Sequence, residues 1–319
     1  MIRRWWKTRE YRRLYDEAAD AFAGGRDAAA EEACARALAL AESLYGPDHP
    51  ELLSLLYATS SAQLAQGRLD EAEASCRRAI GIAEEAPAAE PPLPRLLMQL
   101  ASILERRGDA EALRALFEQM LAGYARMRDP DAGEHAAVLT RLGLLLGRQG
   151  QREEAQPLLA QAITLREEAF GAEHPAVAEA LFNAATLRPR ESPVGPAEEM
   201  LRRALAIAEH PSGAGMDPCV RASILHNLAV LREEQGATEE AASLYERALA
   251  TREAQVGVSH ASLRPTLVRF GQLRHAAGQL TGALSLYERA LVIAEAELGV
   301  GHAIPEAIKA WMAEARSRS

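Results

Sequence analysis

The chain has 319 residues, 48% of them hydrophobic but only 5% aromatic, and Ala and Leu dominate the apolar set. Strong helix formers therefore outnumber strand formers, and an all-helical protein with a sizeable core is expected. A formal net charge of −9 and a pI of about 5.5 exclude a global basic footprint for nucleic acid, and no apolar run reaches the roughly 18 residues a membrane span needs.

In chain order, the first feature is the basic stretch MIRRWWKTREYRRLY. It sets Arg3, Arg4, Lys7, Arg9, Arg12 and Arg13 against Glu10 alone. Asp16, Glu17 and Asp20 stand where a signal peptide would need an apolar run, so this is not a secretory signal. A basic helix over residues 1–14, bearing Trp5 and Trp6, has three readings: an end cap with a solvated basic face, a peripheral contact with an anionic membrane surface, or a dock for an acidic partner. The cap is the plainest of the three. Cys34, Cys76 and Cys219 are too few and too odd a set for a disulfide framework, so a reducing, cytoplasmic location is expected.

The segments CARALALAE, CRRAIGIAE, LRRALAIAE, YERALATRE and YERALVIAE are alike. Their shared position runs Ala37, Ala79, Met120, Ala162, Ala204, Ala248, Ala290, in steps of 42, 41, 42, 42, 44 and 42 residues. A second series places turn glycines at Gly25, Gly67, Gly108, Gly150, Gly236 and Gly278, and an Ala follows five residues on at Ala30, Ala72, Ala155, Ala241 and Ala283. Each unit thus reads as a first helix, a Gly turn, a second helix and a longer loop. Small residues on the second helix let neighbours approach closely. One unit cannot bury its apolar face alone, but a stack of them can.

His49-Pro50 and His174-Pro175 precede the first helices of their units, and His260 and His302 hold the same place without the Pro. Pro suits a first helical position, and Asp48 and Glu173 suit the positive end of the helix dipole, so the motif reads as a helix-start device. Repeat five departs from the pattern. Pro189, Pro193 and Pro196 crowd its turn and Ser192 stands in for the Gly, so its first helix should end early. The stretch APAAEPPLP replaces the His-Pro start of repeat three, and HPSGAGMDPC carries two extra residues. The closing segment IPEAIKAWMAEARSRS, with Trp311, is expected to cap the open end over residues 303–319.

The stretch LHNLAVLREEQGATEEAASLYERALA, from Leu225, resembles tetratricopeptide repeats of the kinesin-light-chain type, the ~42-residue variant of the ~34-residue form. The resemblance covers nearly the whole chain. It implies a single domain over residues 1–319: an all-α, right-handed α-solenoid of about seven helix-turn-helix repeats plus a C-terminal capping helix. It further implies that first helices line the concave face. Counting nine residues back from each turn gives Asp16, Ala58, Gln99, Arg141, Asn183, Asn227 and Arg269.

The family's asparagines at this place resemble residues that hold a bound peptide's backbone, since an amide donates and accepts at once. With Arg141 and Arg269 beside Asn183 and Asn227, the resemblance implies a groove for a protein or peptide partner with acidic groups or a free C-terminus. Gln99 and His226 join the candidate set. The plain alternative is a solvated polar inner face.

Cys34 and Cys76 share one repeat position with Phe117, Leu159, Leu201, Tyr245 and Tyr287, which marks a packing site rather than a redox or metal site. Cys219, near His210 and Asp217, lacks the paired spacing of a zinc site. No nucleophile elbow, P-loop or HExxH motif occurs, so neither catalysis nor a cofactor is expected. The function implied is that of a non-catalytic scaffold or adaptor. The alternative is a regulatory or sensor subunit that controls a separate enzyme.

Overall fold

The computed structural model describes the backbone of residues 2–88, 90–188, 192–210 and 215–318, with side chains throughout except those of residues 2–8, Phe22 and Asp27. The side chains of Trp5 and Trp6, the residue Pro189 and the Ser212-Gly213 part of the long loop lie outside that description. The described residues hold fifteen α-helices and no strand. They form seven pairs: α1 (Ile2–Ala23) with α2 (Asp27–Tyr45), α3 (Leu53–Ala65) with α4 (Leu69–Glu85), α5 (Leu93–Arg107) with α6 (Ala110–Tyr124), α7 (Ala132–Arg148) with α8 (Arg152–Phe170), α9 (Pro175–Thr186) with α10 (Val194–Glu209), α11 (Pro218–Glu234) with α12 (Thr238–Val256), and α13 (Arg264–Ala276) with α14 (Leu280–Leu298). A last helix, α15 (Ala303–Ser317), follows. The basic N-terminal stretch is the opening half of α1.

The chain divides into two compact units, Met1–Glu134 and His135–Ser319. In the first unit, α3 packs on α4 and on the preceding α2, and α5 packs on α4 and α6. In the second, α9, α11 and α13 each pack on their own second helix and on the one before, and α15 lies on α14. Trp311 of α15 sits 6.0 Å from the Tyr287 ring of α14 and packs on the core of the last repeats, as a terminal cap should.

The periodic small residues are the contact points. Ala37, Ala79, Ala162, Ala204, Ala248 and Ala290 are fully buried or nearly so, and Met120, in the one gap of that series, is also buried. The second series, Ala30, Ala72, Ala155, Ala241 and Ala283, has no exposed surface, and Cys34, Cys76, Phe117, Leu159, Leu201, Tyr245 and Tyr287 are likewise sealed. Close approach extends to the first helices. A Cβ built on Gly271 of α13 would lie 2.6 Å from the buried Tyr287 ring, so only Gly lets α13 and α14 meet there.

The turn glycines adopt the left-handed conformation, φ 64° to 84°, that an L side chain resists. They close the first helix by the Schellman pattern: after Gly67, the Arg68 N–H donates to the Gln63 carbonyl at 2.9 Å, and after Gly236 the Ala237 N–H donates to that of Arg232 at 2.9 Å. Repeat five lacks this glycine, and α9 stops at Thr186, well short of Ser192, whereas α11 and α13 run to Glu234 and Ala276, just before Gly236 and Gly278. Leu187 then turns inward, its methyls where a Cβ on Gly147 of α7 would be.

The helix starts share one device. The imidazole Nδ1 of His49, His174, His260 and His302 accepts from the N–H two residues on, at 3.2, 3.2, 3.2 and 3.3 Å. Each histidine is therefore an N-cap acceptor, a role usually filled by Ser, Thr, Asp or Asn. Two first helices that lack the His use Asp: Asp131 accepts from Glu134 N–H at 2.7 Å, and Asp217 accepts from Cys219 N–H at 2.8 Å, while α5 starts after Pro92 with no side-chain cap. The Tyr45 and Phe170 rings, one before each loop glycine, stack on His49 and His174 at 5.0 and 4.9 Å and fix the imidazole plane.

Two outcomes follow for stability. His174→Ala should cost about 1 kcal/mol in urea denaturation, while His174→Asp keeps most of it because Asp supplies the same acceptor. Gly271→Ala should cost about 1–3 kcal/mol by overpacking against Tyr287, whereas Gly195→Ala, with nothing near its Cβ and no positive φ, should be nearly neutral.

Candidate functional site

The rank nine residues before each turn lies on the first helix of every pair, and the structure separates its members by what already occupies their hydrogen-bonding groups. In the first unit Asp16 is exposed and Ala58 half-buried. Gln99 is only 8% exposed, and its amide donates to the Tyr57 carbonyl at 3.1 Å and to Ser61 Oγ at 2.7 Å. Its donors therefore tie α5 to α3.

In the second unit Arg141 is exposed, and neither it nor the half-buried Asn183 has a side-chain hydrogen bond or ion pair among the described residues. Asn227 donates one amide hydrogen to the Ser223 carbonyl at 2.9 Å, which leaves its second N–H and its carbonyl oxygen for another group. Arg269 reaches Glu233 at 3.3 Å, and Glu233 also accepts from the Tyr245 hydroxyl at 2.9 Å.

His226 stands apart from the rank. Its Nδ1 lies 3.0 Å from Thr266 Oγ1, a buried hydroxyl on α13, and its ring meets Tyr245 edge-on at 5.5 Å. Burial, helped by the charges of Arg252 and Arg269, lowers its pKa to about 4, so the ring is neutral at ordinary pH. Arg252 adds to the same joint, donating to Ser223 Oγ at 2.6 Å and to the Ser262 carbonyl at 3.0 Å. The Arg252 and His226 contacts link α11, α12 and α13.

Two of the three thiols, Cys34 and Cys76, are sealed in the packing. Burial pushes Cys34 up to about 11 and Cys76 up to about 12, which keeps both protonated. Among the described residues no group of three His, Cys, Asp or Glu side chains could hold a metal ion, and no helix is long and apolar enough to cross a membrane.

The first unit also holds an open cleft of about 560 Å³ between α1 and the start of the second pair, lined by Tyr11, Tyr15 and Asp16 from α1 and by His49, Glu51 and Ser54. Sequence reading placed Asp16 in the first-helix rank and His49 at a helix start, and gave Glu51 and Ser54 no role. Only the packing of α1 against the next helix start brings the aromatic rings and the acids together.

Repeating helix pairs, sealed small residues, left-handed turn glycines and capped first helices now stand together, and a family model described as a tetratricopeptide repeat matches residues 12–85, 93–168, 134–210 and 220–303. The chain belongs to the tetratricopeptide repeat family. Similar solved structures include BtubC (BKLC) from P. vanneervenii, at 24% identity over 72% of this chain and 92% of that one, TM-score 0.62. A putative kinesin light chain with nearly identical TPR-like repeats from Podosopora anserina is 24% identical over 64% of this chain and 95% of that one, TM-score 0.51. A tetratricopeptide repeat protein from Parabacteroides merdae is 17% identical over 97% of this chain and 99% of that one, TM-score 0.59. These likenesses show the fold alone, an all-α solenoid. No curated protein matches the sequence.

The lowered pKa of His226 sets a pH dependence for this tetratricopeptide protein. Its value in the unfolded chain is the ordinary 6.5, so between about pH 6.5 and 4 the unfolded state binds more protons. The contribution of the neutral ring is complete above 6.5 and is lost as pH falls toward 4, on the order of 3 kcal/mol. Urea midpoints of the wild type should therefore fall more steeply below pH 6.5 than those of His226→Gln.

Proposed function

We propose that the protein is a non-catalytic binding scaffold that takes an extended partner segment along the first helices of the unit His135–Ser319, with Arg141, Asn183, Asn227 and Arg269 as the contacts. Tetratricopeptide repeats generally act as protein–protein interaction modules and are generally non-catalytic, which supports the coarser half of this reading. The finer half rests on one observation: Arg141 and Asn183 spend no side-chain hydrogen bond on the described protein, in a chain whose arginines mostly do.

An extended peptide presents N–H and C=O groups that the amides of Asn183 and Asn227 can satisfy together. The planar guanidinium of Arg141 suits a carboxylate, from an acidic side chain or a chain terminus. Arg269 is half-committed to Glu233, so it would exchange that ion pair for a ligand carboxylate rather than gain one outright. Gln99 and His226 act in this reading as supports: their hydrogen bonds hold neighbouring first helices in register. Rigid stacking lowers the ordering cost of binding.

The test is selection of a random peptide library on the full chain. The selected peptides should include a class that carries Asp, Glu or a free C-terminus, and Asn183→Ala with Asn227→Ala should weaken that class at least tenfold, about 1.4 kcal/mol. Arg141→Glu should reverse the preference for acidic peptides. The absence of any acidic or C-terminal class, or undiminished binding of that class by the double variant, would contradict the reading.

A further inference from the structure

We infer that the cleft of about 560 Å³ in the unit Met1–Glu134 is a docking site for an arginine- or lysine-bearing segment of a partner protein. The volume lies in the range that takes a small ligand or a few side chains. One wall is aromatic: Tyr11 and Tyr15 lie 6.3 Å apart, Tyr11 meets Tyr45 at 6.4 Å, and Tyr45 stacks on His49. Tyr15 is 42% exposed, a large ring left open to solvent on a folded helix. Burial and the charge of Glu51 push the Tyr11 phenol up to about 12, so this wall carries no charge of its own from Tyr11.

The other walls are acidic. Asp16, Glu51 and Glu90 line the cleft, all three exposed, and none has an ion pair among the described residues. Several acids elsewhere in the same unit are paired: Glu31 and Glu71 with Arg68, Asp70 and Glu73 with Arg107, and Glu42 with Arg78. Among the described residues the cleft is lined by one Lys or Arg side chain, Arg12, against these three carboxylates. Electron-rich ring faces beside unspent carboxylates are the surroundings a guanidinium or ammonium group seeks, through cation–π attraction and charge-assisted hydrogen bonds. Charge complementarity thus selects a basic segment. This chemistry is opposite in sign to that of Arg141 in the other unit, so the two sites stand or fall separately.

The probe is a labelled hexapeptide, Gly-Ser-Arg-Arg-Ser-Gly, titrated into the full chain by fluorescence anisotropy beside versions with Ala-Ala and Glu-Glu at the centre. The arginine peptide should bind at least tenfold more tightly than either. Tyr15→Ala and Glu51→Gln, both at exposed side chains, should each weaken it at least threefold with an unchanged thermal midpoint. Arg12→Ala should tighten it, and Arg141→Glu should leave it unchanged. Equal binding of the three peptides, or full affinity in both the Tyr15 and the Glu51 variants, would overturn the assignment.

Discussion

The fold depends on close approach between helices, set by small side chains at one register of each second helix. Ala37, Ala79, Ala162, Ala204, Ala248 and Ala290 fix where neighbours touch, and each is sealed from solvent. Because these contacts are made with almost no side chain, the larger apolar groups around them, Leu159, Leu201, Tyr245 and Tyr287 among them, fill the space with little left over. The recurrence of that register every 41 to 44 residues is therefore a packing requirement rather than a trace of ancestry alone.

From that constraint the division of labour follows. Second helices are consumed by packing: α2, α4, α10, α12 and α14 are each pressed between their own first helix and the next helix. First helices carry the polar residues that register alone leaves unassigned. Some of these become joints: Gln99 across α3 and α5, and His226 with Thr266 across α11 and α13. Others, Arg141 and Asn183, are left with hydrogen-bonding capacity unspent. A buried polar group is costly unless satisfied, so a partly solvated amide or guanidinium with no internal partner is the cheapest group to commit to another chain.

Much of the fold was legible in the sequence because the constraint is periodic. Seven pairs, the turn glycines, the early end of α9 and the last capping helix all follow from spacing. The helix-start histidines were legible as positions, but not as acceptors: spacing shows that His49 and His174 precede a helix, whereas the Nδ1 contact rests on the orientation of the ring, which the sequence does not state. Asp131 and Asp217 perform the same task in a different chemistry, which residue identity concealed. The candidate site was legible as a rank and illegible in detail. Counting nine residues back from a turn places Gln99 and Asn183 alike, yet one is held by Tyr57 and Ser61 and the other is not. The aromatic cleft was illegible altogether, because Tyr15 and Glu51 belong to different helices.

The central claim is that packing uses up the second helices and leaves the first-helix rank of the unit His135–Ser319 open to a partner. Hydroxyl-radical footprinting of the chain, free and bound to a ligand peptide obtained by selection, tests this most directly. The account predicts protection concentrated on the solvent-reached side chains of α9 and α11, with Val230 beside the rank among them, and none added on the outward faces of α10, α12 and α14. Protection confined to those outward faces, for instance at the exposed Val292 of α14, would contradict it.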